Sequence, residues 1–300
     1  MSDQRRDLAV IGGGPAGMAA AIAAAERGLD TILFHDQPAP GGQIYRSIEQ
    51  ISRDGRLDAL GEEYRRGVDL LSAFRESGAQ YAPGSIVWQT APDGRVGVTD
   101  GDGARVIRAE RIVLATGALE RPVAVPGWTL PGVMGAGAVQ SLLKSAAIVP
   151  DVPVVIAGSG PLIYLVAIQL AHAGCPIAAL LVTTPAGRIA GALKELPRAP
   201  LAGRGLAKGV SWMHEVRRLG IPTANSVAGL SIKGTRRAEA VHYQADGKPK
   251  LIEAGLVLVH EGVIPNIQLS LSTRCDHVWD EGQECWRLPM MKRSSAAARR

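Results

Sequence analysis

A chain of 300 residues has room for two domains, and 46% hydrophobic residues supply the material for both cores. The formal charge of +5 would favour an anionic partner, but Lys292, Arg293, Arg299 and Arg300 carry four of those charges at the extreme end, which argues against nucleic-acid binding. Three cysteines, Cys175, Cys275 and Cys285, form no Cys-x-x-Cys pair, no secretory signal opens the chain, and the Ala-rich stretch 19–25 is too short to span a bilayer, so the expected compartment is the cytoplasm.

The first element is an apolar strand over Asp7–Ile11. The turn Gly12-Gly13-Gly14-Pro15-Ala16-Gly17 follows, and then an Ala-rich helix that ends before Gly28. Glycines between a strand and a helix are the context in which this pattern carries mechanism. Gly12 makes the tight turn, Gly14 lets backbone approach a pyrophosphate, and Gly17 lets the helix pack close to the strand. The helix dipole and its free amides then favour an anion. A second strand, Thr31–His35, ends at Asp36, about 20 residues on, where a carboxylate binds a ribose diol and repels a 2′-phosphate. The expected ligand is FAD or NAD rather than NADP.

Pro40-Gly41-Gly42-Gln43-Ile44-Tyr45-Arg46 reads as a turn that approaches a flat ligand closely. A helix is expected over 57–77. Short strands follow at Ser85–Gln89, Val96–Thr99 and Arg105–Arg108, split by Asp-Gly turns, and a separate buried strand at Arg111–Leu114 leads into Ala115-Thr116-Gly117. The Pro- and Gly-rich stretch 122–132 reads as a crossover between domains, followed by a helix near 136–147.

A second strand–turn–helix unit spans Val152 to Ala173, with its turn at Gly158-Ser159-Gly160-Pro161 and the next strand at Ile177–Val182. It is a degenerate copy. Ile163 stands at the third glycine position, and no acid follows the second strand, so it reads as a Rossmann-like domain without nicotinamide. Residues 203–219 form a helix, 227–259 supply strands, and Glu261-Gly262 repeats the strand-then-glycine exit. The basic tail reads as disordered. The fold class is α/β: two Rossmann-like domains, the first interrupted by a β-meander. The expected boundaries are 1–125 for the FAD-binding domain, 126–265 for the degenerate NAD(P)-type domain and 266–300 for a return to the first.

No catalytic base stands out. His35 reads as a strand-end residue, Glu120-Arg121 as surface charge or an interface pair, the thiols as packing, and no His/Cys/Asp cluster has metal-ligand spacing.

Taken in order, these motifs resemble the two-dinucleotide-domain flavoproteins that include the pyridine nucleotide–disulfide oxidoreductases. Residues 40–46, 115–122, 126–133 and 158–162 are similar to a group within it, the FAD-dependent amine and amino-acid dehydrogenase subunits, among them those of hydrogen cyanide synthase and opine oxidase. The resemblance implies FAD held by Gly12, Gly14, Pro15, Ala16 and Gly17 at the pyrophosphate and by Asp36 and Gln37 at the adenosine ribose. It places Gly42, Gln43 and Arg46 near the flavin or ribityl chain, with Ala115, Thr116 and Gly117 closing over the nucleotide. Gly158, Gly160 and Pro161 would form a second nucleotide loop. It also implies a small amine or amino-acid-derived substrate such as glycine, an opine or an N-alkyl amino acid, and partner subunits, through which the chain would be peripheral to a membrane if at all. Two departures matter. There is no redox Cys pair, and the Gly-Asp strand and helix that close the FAD domain in relatives do not follow Arg287-Leu288-Pro289. The chain therefore reads as C-terminally truncated. A non-catalytic Rossmann-like scaffold and an NAD(P)H-dependent flavoprotein reductase stand as the alternatives.

Overall fold

The computed structural model describes residues 5–53, 62–185, 187 and 203–289. β1 (Arg5–Ile11) buries Leu8, Ala9, Val10 and Ile11 in succession, and β2 (Thr31–Phe34) is buried throughout. Continuous apolar runs of this kind suit parallel strands covered on both faces. Alternation then divides them. Leu8, Val10 and Leu33 join the core with Met18, Ile48 and Phe74, whereas Ala9, Ile11, Ile32 and Phe34 join Val96, Val98 and Ile107.

Between these strands α1 (Pro15–Ala25) starts with Pro at its first turn and buries Gly17, Met18, Ala21 and Ala24, one face at helical spacing. α2 (Ile48–Arg53) was not anticipated from the sequence. It buries Ile48 and Ile51 beside α3 (Glu62–Glu76). Of the helix expected over 57–77, residues 57–61 lie outside the described residues.

The first sheet continues through β3 (Gln80–Ala82), β4 (Ile86–Thr90), β5 (Arg95–Asp100) and β6 (Gly103–Leu114), in the order β3-β2-β1-β6-β5-β4. The strands expected separately at 105–108 and 111–114 are one strand, because no glycine or proline interrupts 104–114 and the two halves serve different partners. Gly103–Arg108 pairs antiparallel with β5, and Arg108–Leu114 pairs parallel with β1. The meander thus extends the parallel sheet. From Arg111 onward β6 has β1 on one side and, among the described residues, no strand on the other.

Two short paired strands, β7 (Ala118–Glu120) and a later one at Val263–Pro265, mark where the chain passes between two units, at Leu119/Glu120 and at Val263/Ile264. The second unit has a parallel sheet. Its strands are β8 (Val133–Gly135), β9 (Val154–Gly158), β10 (Ile177–Val182), β11 (Thr223–Ala224) and β15 (Leu256–His260), in the order β11-β10-β9-β15-β8. Helices α4 (Ala136–Ala146), α5 (Leu162–His172) and α6 (Gly203–Arg218) connect them. An antiparallel sheet of β12 (Ala228–Lys233), β13 (Ala240–Ala245) and β14 (Lys248–Glu253) precedes β15. The segment 122–132 lies within the second unit and bonds to its antiparallel sheet and the turn there: Pro126 O accepts Ile232 N–H of β12 at 2.7 Å, and Pro131 O accepts Ala238 N–H, between β12 and β13, at 2.8 Å. A Cβ on Gly127 would lie 2.3 Å from Ile232 O, so the glycine permits that approach.

After the return strand, β16 (Val263–Pro265), α7 (Gln268–Ser272) docks on β4 through Thr90 Oγ1, which donates to Leu269 O at 3.0 Å. A hairpin of β17 (Val278–Asp280) and β18 (Cys285–Arg287) stacks Trp279 edge-on against Trp286. The tail expected to be disordered lies outside the described residues.

Ile156 is fully buried at the centre of the second sheet. Ile156→Ala is expected to cost about 2–5 kcal/mol, read as a lower urea midpoint with an unchanged slope. A loss below about 1 kcal/mol would contradict this packing.

Candidate dinucleotide site

The first turn is built by backbone contacts that side chains would forbid. Gly12 has φ +111°, and a Cβ there would lie 2.3 Å from Ala115 O, at the end of β6. A Cβ on Gly17 would lie 1.8 Å from Gly12 O. Gly14 differs: it caps α1 with extended backbone (φ −75°), and a Cβ would meet nothing within 4 Å. The helix start has no side-chain cap and no acid in its first turn, so its amides and dipole have no internal anion. Pro15 is half-buried and Ala16 exposed at the same helix start.

The fold brings the 40s turn onto this loop. Gly41 N–H donates to Gly13 O at 2.7 Å, and a Cβ on Gly42 would lie 2.8 Å from Gly14 Cα. Both glycines have positive φ, +134° and +59°. Gln43 is exposed and accepts from Arg46 Nη2 at 3.0 Å. The Asp36 side chain is 60% exposed, and Gln37 Nε2 donates to its Oδ2 at 3.2 Å. Ala115 supplies the carbonyl against Gly12. Thr116 Oγ1 turns instead to Asn266 O at 3.0 Å, and Gly117 O accepts Asn266 N–H at 3.0 Å.

His35 is more than a strand end. Its ring is 8% exposed, and Nδ1 accepts Gly13 N–H at 3.2 Å, which fixes the middle of the glycine turn. Burial holds its pKa below the ordinary imidazole value, Arg46 adds to the effect and Asp36 opposes it. Asp36 Oδ1 also stands 3.2 Å from Nδ1. With Gly13 N–H donating to that nitrogen, a neutral ring carries its proton on Nε2, which is buried without a partner. An orphaned buried donor beside an open helix start fits a bound polar group. The only sequence signal was a histidine directly before the ribose acid.

The second turn repeats the first in its opening. Gly158 has φ +153°, and a Cβ there would lie 1.8 Å from His260 O, at the end of β15. Ser159 N–H donates to that same oxygen at 2.9 Å. Gly160 is open with φ +82°, and Pro161 precedes α5. Ile163 is fully buried among Val154, Ile156 and Leu258. Glu261, which sequence reasoning passed over, accepts from Ser159 Oγ at 2.7 Å and from Thr183 Oγ1 at 2.6 Å.

Glu120 is not surface charge. Its carboxylate accepts Gly137 N–H at 3.0 Å at the start of α4 and meets His260 Nδ1 at 2.6 Å, and Gly135 leaves no room between them for a Cβ. All three cysteines are free. Burial pushes the Cys175 thiol up to about 11, which leaves it an unreactive packing group. Among the described residues no cluster of His, Cys, Asp or Glu could hold a metal, and no helix is long and apolar enough to cross a membrane.

Two strand–glycine turn–helix units on parallel sheets define the two-Rossmann-domain class of dinucleotide-binding proteins. The family model for pyridine nucleotide-disulphide oxidoreductases matches residues 6–282, and the chain belongs to that family. The family's flavoproteins bind FAD. The A-type opine oxidase chain of Agrobacterium tumefaciens (strain Ach5) is 42% identical over 93% of this chain and 57% of that relative. The hydrogen cyanide synthase component HcnB of Pseudomonas aeruginosa is 35% identical over 89% of this chain and 59% of its own length. The chain therefore spans under two thirds of the curated relatives it matches. Among solved structures, thioredoxin reductase from T. acidophilum shares the fold with a TM-score of 0.62 at 17% identity, covering 93% of this chain and 83% of that one. L-proline dehydrogenase from P. horikoshii gives 0.59 at 18%, covering 93% and 48%.

The two glycine environments separate binding from folding. Gly14→Ala should cost under about 1 kcal/mol of stability yet weaken FAD binding at least ~10-fold, whereas Gly17→Ala should destabilise by about 1–3 kcal/mol or more. Thermal melts and FAD titration check both, and equal melting losses would contradict the geometry. A second expectation follows from His35. With its folded pKa lowered, the stability it contributes is complete above about pH 6.5 and falls as pH drops below that value. Denaturation midpoints of wild type should decline more steeply from about pH 7 to about pH 5.5 than those of His35→Gln. Parallel curves would refute the assignment.

Proposed function

We propose that this chain is the FAD-binding subunit of an oxidoreductase that oxidises the C–N bond of a small amine or amino-acid derivative. The observation that carries the reading is the junction of two glycine segments: Gly42 lies against Gly14 beside an open helix start and an exposed Asp36. The likeness to the opine oxidase chain and to HcnB supports the substrate class, an opine, glycine or N-alkyl amino acid, and supports partner subunits. Thiol usage and the absence of a long apolar helix among the described residues support a cytoplasmic setting.

When bound, FAD supplies the acceptor for a hydride leaving the carbon next to the substrate nitrogen. The chain's own residues bind and orient. Amides at Gly14, Ala16 and Gly17, opened by Gly12 and shaped by Pro15, would hold the pyrophosphate at the start of α1. Asp36, held by Gln37, would accept from the ribose hydroxyls. Gly42, Gln43 and Arg46 would line the flavin and ribityl side, with Ala115, Thr116 and Gly117 at the exit of β6. The neutral His35 keeps Gly13 in place without adding positive charge. Nicotinamide nucleotides are not part of this reading: the turn at Gly158, Gly160 and Pro161 serves as scaffold.

Purified chain is expected to be yellow and to take up close to one equivalent of FAD. Colourless, folded protein that binds no added FAD would overturn the reading in favour of a non-catalytic scaffold. Asp36→Ala should weaken FAD about 10-fold, or about 1.4 kcal/mol, in the same titration. Anaerobic mixing of the flavin-loaded protein with opines, glycine and N-alkyl amino acids should bleach the flavin with one of them. Bleaching by NADH alone would favour a reductase.

A further inference from the structure

The two turns begin alike and then diverge at one position. In each unit the first glycine lies against the carbonyl at the exit of the neighbouring parallel strand, Ala115 O after β6 in the first and His260 O of β15 in the second. The next residue is Thr116 in the first unit and Glu261 in the second. Thr116 sends its hydroxyl to Asn266 O, so no charge enters the first turn. Glu261 does the reverse. Its Oε2 accepts from Ser159, the residue between the two turn glycines, and its Oε1 accepts from Thr183, the first residue after β10.

Those two partners mark the two halves of a dinucleotide site. The turn is where backbone approaches a pyrophosphate, and the end of the second strand is where a ribose is held. One carboxylate bridges both, so the turn already has an anion from its own chain, and a phosphate entering there would meet a like charge. Ile163 does not block the site, because it is fully buried in the core behind the turn. A Cβ on Gly160 would meet nothing within 4 Å, so the turn itself is open there.

We propose that Glu261 is the specificity-determining residue that closes the second turn to pyridine dinucleotides, acting as a built-in anion bridged between Ser159 and Thr183. The inference rests on, and deepens, the reading of that turn as scaffold. It names a single side chain that decides the matter, where the sequence pointed to the missing third glycine and the missing acid after β10.

The test is NADH and NADPH titration of the full chain, followed by nucleotide fluorescence, in wild type, Glu261→Gln and Glu261→Thr, the last restoring the residue of the first unit. Thermal melts establish that each variant is folded. Glu261→Thr is expected to bind NADH at least ~10-fold more tightly than wild type, and Glu261→Gln to gain in the same direction because it removes the charge. The gain should persist when Gly14→Ala is added, since it belongs to the second turn. Folded variants with no gain, a wild type that binds NADH as tightly as Glu261→Thr, or a gain abolished by Gly14→Ala would each overturn the proposal. FAD uptake, measured separately, reports on the first turn alone, so failure of the flavin reading and failure of this one are distinguishable.

Discussion

Everything at both turns depends on a glycine seated against a backbone carbonyl. Gly12 packs on Ala115 O and Gly158 on His260 O, each with positive φ and no room for a Cβ. The contact joins the end of β1 to the exit of its neighbour β6, and the end of β9 to that of its neighbour β15. It therefore sets the distance between the helix start and the strand exits, the region where folds of this class hold a dinucleotide. Strand register fixes it further: Ile11 pairs with Leu114 and Ala157 with Val259, one residue before each contact. Only glycine tolerates both the dihedral and the approach.

What surrounds that contact gives the two units different chemistry. In the first, neutral groups crowd the turn from behind. His35 holds Gly13, Gly17 lets α1 settle on Gly12, and Gly42 closes from the side. The helix start is left electropositive and open, which suits a phosphate. In the second, a carboxylate reaches in from the strand exit and uses the hydroxyls that would otherwise face solvent or ligand. Its neighbour His260 is tied to Glu120, whose other contact caps α4. Glu120 and Glu261, the latter directly after β15, thus organise the C-terminal edge of the second parallel sheet, where the first sheet has Ala115 and Thr116.

The single strand Gly103–Leu114 shows why local reading divided an element that is continuous. Its two halves pair with neighbours of opposite direction, so its burial alternates in the first half and is even in the second. Each half matched a different strand pattern, and the join carried no breaker residue. The segment 122–132 shows what a local pattern leaves out. Its prolines and glycines are those of a linker, yet their carbonyls accept bonds from Ile232 and Ala238, which a local pattern does not contain.

By itself the sequence determined the strand–turn–helix units, the positions of Gly12, Gly17 and Gly158, the parallel character of strands such as Val154–Gly158, and the exits at Gly117 and Gly262. These follow from periodicity and from steric rules that act within a few residues. Tertiary structure decided the rest: that Gly42 meets Gly14, that His35 turns its Nδ1 to Gly13, and that Glu261 joins Ser159 and Thr183 across 102 and 78 residues. Such contacts depend on where the sheet order places strand ends side by side, and no local spacing along the chain encodes which side chain fills the gap there.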